Sequence, residues 1–167
     1  MNTIINNLLE NKNYNEPMQE ILRLFAQGNT SPLSVRDALK GYGLSVDDLH
    51  DEAIDVILDY VNLILDDHII TKQEMDALRK LKMLLHIKEG DFIEVHKEKD
   101  IENILRREFE LIYQDKNVDK DEAAMKVDLQ ELFGLSYDQF LLFEQEAVEY
   151  ALKQGADVTN LDTFYRL

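Results

Sequence analysis

The chain has 167 residues, enough for one domain with a packed core, and its 34 acidic against 18 basic residues give a formal net charge of -16. A field of that sign repels nucleic acid and anionic membrane surfaces and attracts cations and basic proteins, so we expect neither nucleic acid nor a membrane as partner. The absence of cysteine excludes disulfides, thiolate zinc sites and cysteine nucleophiles, and the scarcity of glycine and proline favours helices over sheets.

The first residues carry no pattern of a secretion leader or a membrane anchor. They lack a basic region followed by a sustained apolar run. No stretch of the chain approaches the roughly 18 apolar residues of a membrane span. We therefore expect a cytoplasmic protein.

Residues 1–44 read as an N-terminal helical segment. Pro17 suits the first turn of a helix that continues from Met18 to about Ala26. A second helix is expected to open at Pro32 and to stop at the glycine that follows Lys40.

An internal repeat organises the residues that follow, since residues 63–92 match residues 111–140 at an offset of 48. The first copy carries Leu63, Ile64, Asp67, Ile70, Thr71, Glu74, Leu81, Leu84, Leu85, Ile87 and Phe92. The second copy carries Leu111, Ile112, Asp115, Val118, Asp119, Glu122, Leu129, Leu132, Phe133, Leu135 and Phe140. This spacing predicts an all-α helical bundle of seven to eight helices with an internal duplication of a helix–acidic loop–helix unit. We assign residues 45–155 to the duplicated domain and residues 156–167 to a C-terminal tail.

An acidic stripe follows one edge of the helix predicted over residues 46–66. Its members recur at helical spacing and are Asp48, Glu52, Asp55, Asp59 and Asp66. One interpretation is a docking surface for a basic protein partner, where complementary charge speeds association and sets the register. The other is a solvated edge whose repulsion is relieved by neighbouring cations such as Arg106, Arg107 and Lys126.

The two loops of the repeat are candidate metal sites. Their carboxylates are Asp67, Glu74, Asp115, Asp119 and Glu122. The segment 115–121 alternates oxygen-bearing side chains in the manner of a calcium loop. Helix capping explains the same residues, because Thr71 with Glu74 and Asp119 with Glu122 have the spacing of capping boxes.

Both loops resemble the Asp-Gly-x-Ile-(Ser/Thr)-x-x-Glu signature of the tellurite-resistance TerB-like family. The matching segments are residues 67–74 and 115–122, with His68 and Lys116 at the glycine position. The resemblance covers about residues 45–155. It implies an all-helical, acidic, duplicated fold associated with divalent-cation binding, stress response and bacterial conflict systems.

The sequence offers little that indicates catalysis. The four histidines, His50, His68, His86 and His96, form no zinc-binding pair, and no phosphate loop or nucleophile elbow is present. Four aromatic residues near the C-terminal end have the spacing of a core, namely Phe133, Tyr137, Phe140 and Phe143. We therefore expect a non-enzymatic acidic binding protein that neutralises or sequesters a basic protein partner, as an immunity protein or toxin inhibitor does. We expect it to require no cofactor.

The alternative interpretation is a TerB-like stress or tellurite-resistance protein that binds calcium or another divalent cation. A third is a helical scaffold that assembles with copies of itself, for instance as a homodimer.

Overall fold

The computed structural model of the protein describes residues 2–161, which contain ten α-helices and no strand. The helices are α1 (Asn2–Asn11), α2 (Glu16–Ala26), α3 (Pro32–Lys40), α4 (His50–Ile64), α5 (Lys72–Leu84), α6 (Asp91–Glu94), α7 (Glu98–Ile112), α8 (Lys120–Phe133), α9 (Tyr137–Lys153) and α10 (Val158–Leu161). Two of them, α6 and α10, have four residues each. The all-α prediction is confirmed, and the eight longer helices match the predicted seven to eight.

The chain divides into two compact units, the first ending at Asp91 and the second beginning at Phe92, inside α6. The predicted segment 1–44 lies in the first unit. The predicted range 45–155 includes parts of both units. Of the predicted tail, residues 162–167 lie outside the described residues.

The first unit is built on α4, which packs against α1 and α5, while α2 packs against α1 and α3. Helix α4 is apolar on most faces, and its residues from Ala53 to Val61 are almost all buried because neighbours cover them on several sides. Helix α1 was not predicted. It contributes Ile5 and Leu8 to the core, one helical turn apart and fully buried.

The second unit is built on α7, which packs against α8 and α9. Aromatic rings meet edge to face in its core: the ring centroids of Phe109 and Phe140 lie 5.4 Å apart, and those of Phe92 and Phe133 lie 6.1 Å apart. The core prediction for the aromatic residues holds at Phe133 and Phe140. It is wrong at Tyr137, which is 46% exposed because it stands at the first turn of α9.

The same backbone turns recur 48 residues apart, once in each unit. His68 and Lys116 both have positive φ, 59° and 64°, after the first helix of the repeat. His86 and Gly134 both have positive φ, 58° and 57°, after the second helix. Shared local geometry supports the predicted duplication, which stays a prediction. None of the helices in residues 2–161 combines the length and the apolar character needed to cross a bilayer.

Candidate functional site

The turn between α1 and α2 lies against the acidic stripe of α4. The ammonium of Lys12 pairs with Asp59 at 2.6 Å, and the hydroxyl of Tyr14 donates to the other oxygen of the same carboxylate at 2.7 Å. The backbone N–H of Asn15 donates to Glu52 at 2.6 Å. Two of the five predicted stripe residues therefore bind the chain's own N-terminal segment.

Three residues of the stripe influence the pKa of Tyr14. Its pKa is raised, first by burial, then by the hydrogen bond to Asp59 and by the charges of Asp59, Asp55 and Glu52. All three carboxylates therefore act on one phenol.

The ends of the stripe are separate from this cluster. Asp48 accepts hydrogen bonds from the backbone N–H of Ser45 at 2.8 Å and from its hydroxyl at 2.7 Å, and these lower the pKa of Asp48. Asp66 is exposed and lies beyond Ile64, the last residue of α4. Three cations were suggested by the sequence as counter-charges for the stripe. Each of them pairs with a glutamate of the second unit, and they are Arg106, Arg107 and Lys126.

Carboxylates of the first loop cap the backbone. Asp67 accepts from the N–H of Ile69 at 3.0 Å, in the manner of an Asx turn. Glu74 accepts from the N–H of Thr71 at 2.8 Å, and the Thr71 hydroxyl accepts from the N–H of Glu74 at 3.2 Å. This reciprocal pair is the capping box predicted from the sequence.

The second loop repeats the arrangement with more charge. Asp115 accepts from the N–H of Asn117 at 2.9 Å, while Asp119 caps α8 through the N–H groups of Asp121 and Glu122 at 2.9 Å each. In return, the Glu122 carboxylate accepts a hydrogen bond from the backbone N–H of Asp119 at 2.8 Å. Its pKa is raised, chiefly by burial and further by the charges of Asp119 and Asp115. Within residues 2–161, these side chains do not come together with others into a group of three or more that could hold a metal ion.

The two loops share one backbone feature at corresponding positions. His68 and Lys116 adopt the left-handed conformation that glycine takes without strain.

A buried polar cluster in the second unit was missed by the sequence analysis. Tyr113 donates to Glu144, which also pairs with Lys126, and the Lys126 ammonium lies 3.1 Å from the Tyr113 hydroxyl. Glu144 is 5% exposed. Burial, followed by the charge of Glu144, raises the pKa of Tyr113. The sequence does contain a signal for this cluster. Glu144 lies four residues after the core residue Phe140 and therefore on the same face of α9.

The second unit has a groove of about 1040 Å³ that is lined mainly by α7 and α9. Its apolar lining includes two side chains that are unusually open for their size, Leu142 at 72% and Tyr150 at 66% exposure. Half-buried Phe143 and Ala147 lie between them on α9. Large exposed apolar side chains gathered in a groove are typical of a binding surface.

Glutamates outnumber cations along the groove. Five glutamates line it and form what we call the acidic rim, namely Glu98, Glu102, Glu110, Glu146 and Glu149. Three cations also line it, Arg106, Lys116 and Lys153.

Each groove cation already has a partner. Arg106 contacts Glu102 on α7 at 2.7 Å and Glu146 on α9 at 3.2 Å, so its side chain joins the two helices. Lys153 lies 3.7 Å from Glu149, and Lys116 donates to the Gln154 carbonyl at 2.7 Å. The groove thus presents an apolar floor and a net negative edge.

Comparison of the chain with models of known protein families, with curated proteins and with solved structures finds no match.

Proposed function

We propose that this chain is an acidic binding protein, rather than an enzyme, and that it neutralises or sequesters a basic protein partner in the manner of an immunity protein or antagonist. The observation that carries the proposal is the groove of α7 and α9, where exposed Leu142 and Tyr150 lie between glutamates. The net charge of -16 adds a long-range attraction for such a partner.

The two components of the groove have different roles in binding. Burial of Leu142 and Tyr150 supplies affinity, because aromatic and aliphatic side chains in a desolvated pocket dominate the energy of most interfaces. The acidic rim supplies orientation and a fast approach, since rim charges mainly affect association rate and specificity.

The acidic stripe of α4 is the second candidate surface for the same partner. A partner that binds Asp59 or Glu52 must first displace Lys12, Tyr14 or Asn15. That competition weakens the stripe relative to the groove, whose apolar residues are already open to solvent.

The proposal is tested by affinity capture from the extract of the source cells at physiological salt, with the captured proteins identified. The proposal would be supported by saturable capture of a basic protein whose activity falls when the chain is added. We expect Leu142→Ala with Tyr150→Ala to reduce capture about tenfold or more, which corresponds to about 1.4 kcal/mol. The matched control is Leu33→Ala with Tyr42→Ala, which truncates an exposed leucine and tyrosine of the first unit.

Specific capture of only neutral or acidic proteins would contradict the proposal. Equal loss in the groove variant and the control variant would contradict the role of the groove. Replacing Asp55 and Asp59 with lysine measures the stripe separately, and an unchanged yield with that variant would remove the stripe from the binding surface.

A second function is favoured by one observation, the left-handed turn at His68 and Lys116. It is the binding of calcium or manganese by the loop carboxylates, as the TerB-like resemblance implies. A cation bound only by the folded state raises the midpoint of thermal unfolding. A rise with millimolar calcium or manganese that Asp115→Asn abolishes would support this function, and no rise would leave the loop carboxylates as helix caps.

A further inference from the structure

The dimensions of the groove point to the kind of segment that it accepts. Apart from Ile93, its lining residues lie between Glu98 and Lys116 and between Gln139 and Gln154. About 15 helical residues on each side, at 1.5 Å per residue, give a length of about 22 Å, or four helical turns. An elongated apolar groove between two helices is the usual receptor for an amphipathic helix.

Building on the proposed function, we infer that the groove binds one amphipathic α-helix of the partner, about four turns long and basic on both flanks of its apolar stripe. Leu142 and Tyr150 are eight residues apart on α9, about 12 Å along the helix axis. Apolar residues at i, i+3/i+4 and i+7 of the incoming helix cover nearly the same length, so they can pack between and against these two side chains.

The flanks of the incoming helix face carboxylates on both sides. Glu102 and Glu110 lie eight residues apart on α7, while Glu146 and Glu149 lie on α9. Lysine or arginine beside the apolar stripe pairs with these glutamates. A second copy of the chain would bring its own net charge of -16 to the same edge, so charge complementarity favours a basic helix over self-association.

Arg106 sets the specificity of this groove. It contacts Glu102 and Glu146 on opposite sides, where a cation of the incoming helix would sit. Its side chain is 51% exposed, so its release costs little. A partner cation replaces Arg106, and removal of the Arg106 charge therefore strengthens binding of a basic helix.

The test uses the full chain and a synthetic helical peptide of 16 leucine and lysine residues, about four turns, with leucine on one face, followed by fluorescence anisotropy. A scrambled peptide of the same composition and a peptide with glutamate for lysine are the controls. We expect Leu142→Ala with Tyr150→Ala to weaken binding about tenfold and Leu33→Ala with Tyr42→Ala to leave it within about twofold. Arg106→Gln should tighten binding about threefold, an effect that added salt reduces.

Equal binding of the scrambled or acidic peptide would overturn the inference, as would unchanged binding in the groove variant. Sedimentation of the wild type as a dimer that becomes a monomer with Leu142→Ala and Tyr150→Ala would assign the groove to a second copy instead. Specific peptide binding without capture of any basic protein would contradict the proposed function but not the helix-binding site. Capture of a basic protein that is unchanged by the groove substitutions would contradict the helix-binding site but not the proposed function.

Discussion

The hydroxyl of Tyr14 lies 2.7 Å from a carboxylate oxygen of Asp59, 45 residues further along the chain. Burial raises the pKa of Tyr14, and the nearby charge of Asp59 raises it further, so the phenol stays protonated and continues to donate well into alkaline pH. With Lys12 on the other oxygen, this contact attaches the turn between α1 and α2 to α4.

The first prediction compares two tyrosines of the first unit. Tyr14→Phe should lower the free energy of unfolding by about 1 to 2 kcal/mol, because it leaves Asp59 without one of its donors. Tyr60→Phe should raise it by about 1 kcal/mol, because the buried Tyr60 hydroxyl finds no hydrogen-bond partner among the described residues. Urea denaturation followed by circular dichroism measures both.

The alkaline titration of Tyr60 provides a second readout of the same pair. Burial, followed by the charge of Glu74, raises the pKa of Tyr60 to about 12. The phenolate absorbance that Tyr60→Phe removes should therefore appear only near that pH. A destabilised Tyr60→Phe variant would show that the hydroxyl makes a bond that the native fold needs.

The second prediction concerns the buried cluster of Tyr113, Lys126 and Glu144. Lys126→Met should lower the free energy of unfolding by about 3 kcal/mol, because Glu144 is left buried without its counter-charge. Combining it with Glu144→Leu should restore most of the loss. Chemical denaturation gives the free energies, and Lys153→Met is the control, since its pair with Glu149 is exposed and should contribute less than about 0.5 kcal/mol. Equal losses at Lys126 and Lys153 would contradict a buried charge cluster.

The third prediction concerns the left-handed residue after α5. His86 occupies with φ 58° the position that Gly134 occupies in the second unit. His86→Gly should be more stable than His86→Ala by about 1 kcal/mol, because both variants lose the exposed contact of the imidazole with Asp47 and only alanine keeps the strain. Thermal denaturation compares the two variants. Gly134→Ala should be less stable than the wild type by about the same amount. Equal stability of the two His86 variants would mean that the turn relaxes without cost.

The fourth prediction concerns pH. The hydroxyl and then the backbone N–H of Ser45 lower the pKa of Asp48 below its usual 3.8. A lowered folded-state pKa means that the stabilising contribution is complete above the unfolded-state pKa and is lost as the pH falls through the folded-state pKa. Ser45→Ala should therefore raise the pKa of Asp48 in a carboxyl NMR titration. It should also reduce the stability that is lost as the pH falls in the acid range.

Asp157 is the matched control for this titration, because Thr159 lowers its pKa through the same two kinds of hydrogen bond. Ser45→Ala should leave the pKa of Asp157 unchanged, and Thr159→Ala should raise it. A shift of Asp157 in the Ser45 variant would point to a change beyond the local hydrogen bond.

Features governed by neighbouring residues could be predicted from the sequence. The capping boxes at Thr71 and Asp119 appear as expected, because each depends on a contact between residues three positions apart. The all-α class follows from helical periodicity over long segments. The stripe residues Glu52 and Asp59 lie on one edge of α4 because residues seven positions apart fall on the same face of a helix.

Features governed by distant residues could not. The pairing of Lys12 with Asp59 spans 47 residues and depends on α1, whose asparagine-rich sequence gives a weak helical signal. The cluster of Tyr113, Lys126 and Glu144 joins three helical elements, and no local pattern specifies which lysine reaches a buried glutamate. The groove itself requires knowledge that α7 and α9 are neighbours.

The division of the chain at residue 91 has a consequence for synthesis. The hydrogen bonds and ion pairs described above for α1 to α5 all join residues that precede this division. At a translation rate of about 5–20 residues per second, the residues from Phe92 to Gln154, the last in the groove, take on the order of 3–13 seconds to emerge. The acidic stripe therefore has time to engage Lys12 and Tyr14 on the ribosome before the groove of the second unit exists.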